Sequence, residues 1–329
     1  MIEVTDLRKQ FPVRESLLQT ILSFFGRKKK VINAVNGLSF TMERGEMMGL
    51  AGESGCGKTT TGMLLLHLYA PTEGRILFDK QDVTSLSKSD LKRFRKQAQL
   101  IFQDPYESLN PRFTVLRALE EPLLIHGVRD RSAREQKVFQ TMERVKLLPV
   151  SSFINKFPHE LSGGERQRVC IARAIILDPL LLVADEAVSM LDVSIRASIL
   201  NLLRDLTDQM QMATLYISHD LSLLGSICEK VAIMYAGEIV EMGRPDRVIL
   251  SPLHPYSRAL IAAVPVPEFG ERSSTIQPLR GEPPNLISLP KGCLFELRCP
   301  EARPICQSSR PTLKEVFPGH LVSCHISGV

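Results

Sequence analysis

The segment GESGCGKTT, residues 52–60, decides the fold class of this chain. Its first eight residues match G-x-x-x-x-G-K-[ST], after an apolar stretch typical of a buried strand and before a helical pattern. In such a loop, backbone N–H groups surround phosphates, a lysine contacts the β- and γ-phosphate oxygens, and a hydroxyl binds Mg²⁺. The pattern predicts a nucleotide-phosphate site formed by Gly52, Ser54, Gly55, Cys56, Gly57, Lys58, Thr59 and Thr60.

A second motif is LLLVADE, residues 180–186, an apolar strand pattern that ends in two acids. At the tip of a strand, Asp185 suits a Mg²⁺ ligand acting through water, and Glu186 could orient or deprotonate an attacking water. An acidic pair after a strand is common at protein surfaces. It gains its meaning here from the phosphate loop earlier in the chain.

A third motif, LSGGERQR, spans residues 161–168. Two glycines precede a helical pattern, so backbone N–H groups at the helix start would point towards an anion. The alternative is an ordinary helix N-cap without a ligand, which Ser162 followed by two glycines also fits.

Composition and patterning indicate a globular α/β chain. The 329 residues are 44% hydrophobic and 23% charged, and the net charge is +5. The strand patterns MMGLAG, LLLVADE and ATLYISH alternate with helical ones, which predicts a mostly parallel sheet. Charged amphipathic pieces such as SKSDLKRFRKQ and SAREQKVFQTMERVKLL predict an inserted helical subdomain, and prolines crowd the chain after residue 264.

Localisation follows from what the sequence does not contain. No apolar run has the length of a membrane span, and the start of the chain does not resemble a secretory signal, so we expect the chain in the cytoplasm. Seven cysteines in a reducing compartment argue against a disulfide framework. Cys170 and Cys228 are interpreted as small core residues, whereas Cys56 lies near a helix start, where a thiolate is stabilised.

The order of the three motifs resembles that of ABC ATPases. The resemblance implies a RecA-like P-loop core with an antiparallel β-subdomain and an inserted helical subdomain. It places the nucleotide-binding domain at residues 1–264, the helical subdomain at about 87–164, and a Pro/Cys-rich extension at 265–329. In this family the LSGGERQR loop, here called the signature loop, contacts the γ-phosphate held by a partner subunit. Ser162, Gly163 and Gly164 would supply the contacts.

The same resemblance implies roles for single residues. Gln103 matches the Q-loop residue, which senses Mg²⁺ and water, and would join Thr59 and Asp185 around Mg²⁺. Asp192 matches the D-loop at the dimer interface. His219 matches the switch histidine that contacts the γ-phosphate, although a histidine at a strand end is usually structural. Phe11 matches the aromatic residue that stacks on adenine, and a buried Phe beside the β-subdomain is the alternative.

Three segments narrow the resemblance to ATPase subunits of the peptide/nickel importer family: residues 185–203, HPYSRAL at 254–260, and the late cysteines. The resemblance implies ATP hydrolysis at the cytoplasmic face of the membrane, with a second related ATPase chain, two membrane permease subunits and, indirectly, an extracytoplasmic binding protein. The cargo would be a peptide, a nickel complex or an oligosaccharide. Nucleic acid is not an expected partner.

Two features depart from the family or leave alternatives open. Ala187 stands where the family usually has Pro after the acidic pair. The segment RESLLQTILSFFGRKKK, residues 14–30, looks longer than is usual; a helical hairpin on its own domain and a contact with lipid or the membrane subunit both fit it.

A soluble ABC ATPase of DNA repair or translation is the alternative function. The sequence contains neither sustained heptads nor a second set of motifs, so it does not support this alternative.

The extension contains four cysteines in a segment too small for a core of its own, which suggests a staple. Their spacing does not form C-x-x-C pairs. A [4Fe–4S] cluster accepts four thiolates from an irregular loop, and the family resemblance favours it, with structural zinc or bare thiols as alternatives. The candidate ligands are Cys293, Cys299, Cys306 and Cys324.

Overall fold

The computed structural model of the chain describes residues 1–13, 30–104, 108–263 and 281–326. The chain divides into two compact units. The first contains Met1 and residues 42–48 and 86–217, and the second contains residues 2–41, 49–85 and 218–329. Apart from Lys30, the predicted insertion at 14–30 lies outside the described residues.

The first unit contains a parallel sheet segment in which β7 (Leu181–Asp185) lies between β6 (Ala98–Ile101) and β8 (Ala213–Ile217). Every residue of β7 and β8 is buried, as expected for strands covered on both faces. The parallel register pairs Ala184 with Ile101 and Asp185 with Ile217. The strands predicted from LLLVADE and ATLYISH are therefore confirmed, and both end at the same edge.

The helices of the first unit mostly begin after a residue that caps them. Ser87, Thr114 and Asp130 each accept a hydrogen bond from the N–H three residues on, which satisfies a donor of the first turn. The two predicted amphipathic segments are helical. The helices are α2 (Lys88–Gln97), α3 (Val115–Ile125), α4 (Arg131–Arg144), α5 (Gly163–Ile175) and α6 (Val193–Met210), with 3₁₀ turns at Val150–Ser152 and Pro158–Glu160.

The second unit contains two groups of strands. The strands are β1 (Ile2–Pro12), β2 (Val31–Met42), β3 (Met47–Ala51), β4 (Glu73–Phe78), β5 (Gln81–Asp82), β9 (Lys230–Tyr235), β10 (Glu238–Gly243), β11 (Lys314–Phe317) and β12 (His320–Val322). A four-stranded sheet has the order β2-β1-β4-β5, with β1 antiparallel to β4 and β4 antiparallel to β5. A second group has the order β11-β12-β10-β9-β3, in which β10 is antiparallel to both β9 and β12, and β12 is antiparallel to β11.

The helices of the second unit are short. Those that matter for function are the one that follows the phosphate loop and the one that begins with HPYSRAL. No helix among the described residues has the length and apolar character needed to cross a membrane. The helices are α1 (Lys58–Leu65), α7 (Leu221–Ile227), α8 (Pro245–Val248), α9 (Pro255–Ala262) and α10 (Pro304–Ser308), with a 3₁₀ turn at Glu296–Arg298.

The described part of the extension, residues 281–326, attaches to β10 through buried polar contacts. Glu241 is fully buried; its carboxylate accepts hydrogen bonds from the N–H groups of Leu253 and His254 and lies 2.7 Å from His320 Nε2. Arg310 donates to Glu238 at 3.0 Å. Burial raises the pKa of Glu238 to about 7. The prolines explain why this region contains only short elements.

Candidate functional site: a nucleotide-phosphate loop and an acidic strand end

The phosphate loop connects β3 to α1 in the second unit, in the strand–loop–helix order that the sequence predicts. Two of its glycines are required by close packing. A Cβ on Gly52, at φ +150°, would lie 2.2 Å from the carbonyl oxygen of Met234, and one on Gly57, at φ +105°, would lie 2.3 Å from that of Ala34. These contacts fix the path of the loop while leaving Ser54 and Gly55 exposed.

Lys58 is buried at the start of α1 and turns back over the loop. Its ammonium group donates hydrogen bonds to the carbonyl oxygens of Gly52 at 2.8 Å and Glu53 at 2.9 Å. The lysine is thus held against the backbone of the loop. The next residue, Thr59, is exposed, which suits a hydroxyl ligand for Mg²⁺.

Cys56 corrects one expectation from the sequence. Its side chain is 5% exposed, and burial raises the pKa of its thiol above the ordinary value, although Lys58, at 3.8 Å from the sulfur, acts in the opposite direction. Because desolvation disfavours the charged form, Cys56 is a neutral thiol at pH 7 rather than a stabilised thiolate. Cys56 lies in the loop as predicted, but the raised pKa of its thiol does not agree with the predicted stabilised thiolate.

The acidic pair ends β7 in the first unit. Asp185 is buried and Glu186 is half-buried. Glu186 adopts φ +48°, an uncommon conformation for a residue with a side chain, and its N–H donates to Ile217 at 3.0 Å. Gln103, which follows β6, donates from its amide nitrogen to the Glu186 carboxylate at 2.7 Å. The structure therefore joins the predicted base to the predicted water sensor.

The signature loop forms the N-terminus of α5. Ser162 and Glu165 make a reciprocal capping box: the serine hydroxyl accepts from the Glu165 N–H at 3.4 Å, and the carboxylate accepts from the Ser162 N–H at 2.8 Å. This second hydrogen bond lowers the pKa of Glu165. The observed cap agrees with the ordinary N-cap alternative, and it also leaves an ordered helix start for an anion.

The two glycines of the signature loop differ in the space around them. A Cβ on Gly164 would lie 2.8 Å from Ile195 in α6, so this glycine permits close helix packing. A Cβ on Gly163 would meet only Leu191, at 3.4 Å. Gly163 therefore has room for a ligand or a small side chain. Asp192, the exposed N-cap residue of α6, makes no side-chain capping hydrogen bond.

His219 and Phe11 belong to the second unit, as the phosphate loop does. The N–H of Ser218 donates to Leu50 in β3 at 3.2 Å, which places the exposed His219 beside the strand that leads into the loop. Asp220, directly after it, caps α7. The ring of Phe11 is half-buried.

Two neighbours of Phe11 carry no signal in the sequence. The ring of Tyr69 lies edge-on to Phe11, with 5.3 Å between centroids, and is 43% exposed. The ammonium of Lys9 lies 5.0 Å from the centre of the Phe11 ring. Tyr69 and Phe11 are far apart in the sequence, and no local pattern indicates that they meet. Together they form an exposed aromatic and cationic surface that suits a purine ring.

The four cysteines of the extension are free thiols that lie close enough to affect one another electrostatically. Burial, together with the nearby Cys306, Cys324 and Cys299, raises the pKa of Cys293 to about 11. Residues 281–326, like the rest of the described chain, contain no group of three or more His, Cys, Asp or Glu side chains placed to hold a metal ion. The described residues therefore show no [4Fe–4S] site.

Known protein families match two parts of the chain. The family described as ABC transporter matches residues 35–189, and the oligopeptide/dipeptide transporter C-terminal region matches residues 240–306. The oligopeptide transport ATP-binding protein AppF of Bacillus subtilis (strain 168) is 44% identical over 99% of this chain and 97% of its own length. A putative peptide import ATP-binding protein of Brucella ovis, BOV_A0347, is 44% identical over 98% of this chain and 97% of its own length.

Solved structures agree with these matches. The dimeric structure of MJ0796, a bacterial ABC transporter cassette, has a TM-score of 0.63 and 25% identity, and covers 74% of this chain and 99% of that cassette. A dimeric post-hydrolysis state of MJ0796 bound to ADP and Pi gives the same values. The resemblance inferred from the three motifs is confirmed: this chain belongs to the ABC transporter ATP-binding proteins of the oligopeptide transport family.

Proposed function

We propose that this chain, an ABC ATPase, hydrolyses ATP to drive import of peptides or related small solutes through membrane subunits. The near full-length match to oligopeptide transport ATP-binding proteins carries this proposal. The alternative, a soluble ATPase of DNA repair or translation, is not favoured, because the match to the transporter C-terminal region extends beyond the ATPase motifs.

The site residues divide the chemistry between binding and hydrolysis. Backbone N–H groups of the phosphate loop would hold the phosphates, and Lys58 would exchange its two carbonyl partners for phosphate oxygens. Glu186 would remove a proton from the attacking water while Gln103 fixes its carboxylate. His219 would contact the γ-phosphate.

Each unit contains oxygen ligands of the kind that Mg²⁺ prefers. In the first unit Asp185 would supply a carboxylate and Gln103 an amide oxygen, and in the second unit Thr59 would supply a hydroxyl. When bound, the ion would neutralise charge on the phosphates. The proposed function assigns no step to an iron–sulfur cluster, and Cys293, Cys299, Cys306 and Cys324 as its ligands stay a prediction.

We infer the partners from the family to which the chain belongs. Ser162, Gly163 and Gly164 would bind the γ-phosphate held by a second ATPase subunit, a related chain, with Asp192 at the same interface. ATP would thus hold two cassettes together, and loss of phosphate would release them. Two permease subunits at the cytoplasmic face of the membrane and an extracytoplasmic binding protein would complete the importer. The proposal also includes the division of the chain into a nucleotide-binding domain, residues 1–264, and a C-terminal extension, residues 265–329.

Replacing Phe11 with Ala is expected to weaken MgATP binding about tenfold, because a stacked aromatic contributes on the order of 1–3 kcal/mol per base. Displacement of a fluorescent ATP analogue from the purified chain measures this. Phe11→Tyr keeps the ring and serves as the matched control. Unchanged affinity in Phe11→Ala would return Phe11 to the role of a half-buried core residue.

Transport itself tests the proposed function. The chain is assembled with its permease subunits in liposomes, ATP is enclosed, and uptake of a labelled peptide mixture is measured in the presence of the binding protein. We expect uptake that requires ATP and stops when this chain is omitted. Uptake of a nickel complex or an oligosaccharide in place of peptides would reassign the cargo, and co-purification with nucleic acid without permeases would contradict the importer assignment.

A further inference from the structure

The extension makes direct contact with the phosphate loop through one ion pair within the second unit. Arg298, at the end of the 3₁₀ turn in the extension, donates from Nη1 and Nη2 to the two carboxylate oxygens of Glu53 at 2.9 and 3.0 Å. The arginine side chain is 6% exposed and that of Glu53 is 25% exposed. A paired, largely buried geometry of this kind fixes both side chains.

Glu53 follows Gly52 directly, and each of its polar groups is bound. Its backbone N–H donates to the hydroxyl of the fully buried Tyr256, at 3.0 Å. Its carbonyl oxygen accepts from the ammonium of Lys58 at 2.9 Å. The ion pair with Arg298 completes the set, so the conformation of the first part of the phosphate loop depends on Glu53.

Arg298 is itself held in place by aromatic residues. Its guanidinium donates to the Tyr235 hydroxyl at 3.3 Å and lies 5.7 Å from the centre of that ring. Tyr235, Tyr256 and Phe295 pack together, with centroids 4.6 to 5.5 Å apart. The arginine therefore reaches Glu53 from a rigid base.

The charge of this pair matters for an anionic ligand. An unpaired carboxylate one residue after Gly52 would repel the phosphates of a nucleotide, and the repulsion would be strong because the group is largely shielded from water. Arg298 neutralises the charge of that carboxylate and restricts its rotation. With Glu53 paired to Arg298, the Glu53 carboxylate does not offset the positive charge of Lys58 in the loop.

We propose that Arg298 is a positioning residue for ATP binding, through which the extension holds and neutralises Glu53 in the phosphate loop. The proposal rests on the proposed nucleotide role of residues 52–60. It concerns binding rather than chemistry, since the Arg298 guanidinium bonds to Glu53 of the phosphate loop, which would hold the nucleotide phosphates. Loss of Arg298 should therefore weaken the binding of the substrate and of the transition state equally.

The test compares Arg298→Ala with wild type in the full-length chain. We expect the Kd for MgATP, and the KM of its ATPase reaction, to rise about tenfold with kcat changed less than about twofold. Arg298→Lys keeps the charge but loses the paired geometry, and should give an intermediate rise. If the alanine variant does not fold, Arg298→Lys is compared with wild type instead.

Two further variants separate positioning from simple attachment of the extension. Arg310→Ala removes another ion pair between the extension and the core, the one with Glu238. Among the described residues, Arg310 bonds to no residue of the phosphate loop. The variant should therefore leave the KM unchanged. Adding Glu53→Gln to Arg298→Ala removes the unpaired carboxylate and should recover part of the lost affinity.

Three results would overturn the inference: an unchanged KM in Arg298→Ala, an equal rise in Arg310→Ala, or no recovery in the double variant. These failures are distinct from failure of the proposed function. In that case the wild-type chain itself would bind no MgATP.

Discussion

Glu186→Gln is expected to lower the kcat of ATP hydrolysis by about 10²- to 10⁴-fold, the usual contribution of general acid–base catalysis. Glutamine has the shape of glutamate, so the strand end and its positive φ at Glu186 can be retained. It cannot take a proton from water. Binding should persist, because the phosphate loop and Lys58 are unchanged. The variant should therefore accumulate with ATP bound and the cassettes closed.

Single-turnover hydrolysis and binding of radiolabelled ATP, measured on the same preparation, test this expectation. Asp205→Asn, which removes an exposed carboxylate paired with Lys146 in the same unit, is the matched control and should change kcat little. Turnover near that of wild type in Glu186→Gln would remove Glu186 from the role of the base.

The sequence predicted those parts of the molecule that depend on contiguous residues. The phosphate loop, β7 and β8 were each identified from a short apolar run followed by a motif, since burial on both faces gives an unbroken apolar strand. The Gln103–Glu186 contact follows from the parallel pairing of β6 with β7, which brings two strand ends to one edge.

Features that depend on distant residues were not predictable from the sequence. The Arg298–Glu53 pair joins the extension to the phosphate loop across 245 positions, and neither residue stands out in its own segment. The pKa of Cys56 was predicted in the wrong direction. The sequence indicates a nearby helix start, but the burial of the thiol outweighs its effect on the pKa.

Gly163→Asp is expected to slow ATP hydrolysis strongly without preventing folding. The Cβ has room beside Leu191, and an acidic residue in the first turn favours the helix, so the variant should fold. Its carboxylate would occupy the position proposed for the γ-phosphate of the partner subunit and repel it. Substitution at Gly164 is a poorer probe because Ile195 blocks its Cβ at 2.8 Å.

The central claim is that one ATP lies between the phosphate loop of one subunit and the signature loop of another. The most direct test measures MgATP binding and ATP hydrolysis by the assembled transporter carrying Gly163→Asp, with Gly163→Ala as the size control. We predict normal binding by the phosphate loop and at least about 100-fold slower hydrolysis in the Asp variant, comparable to loss of one transition-state donor, with most activity kept by the Ala variant. Hydrolysis by Gly163→Asp at the wild-type rate would contradict the account.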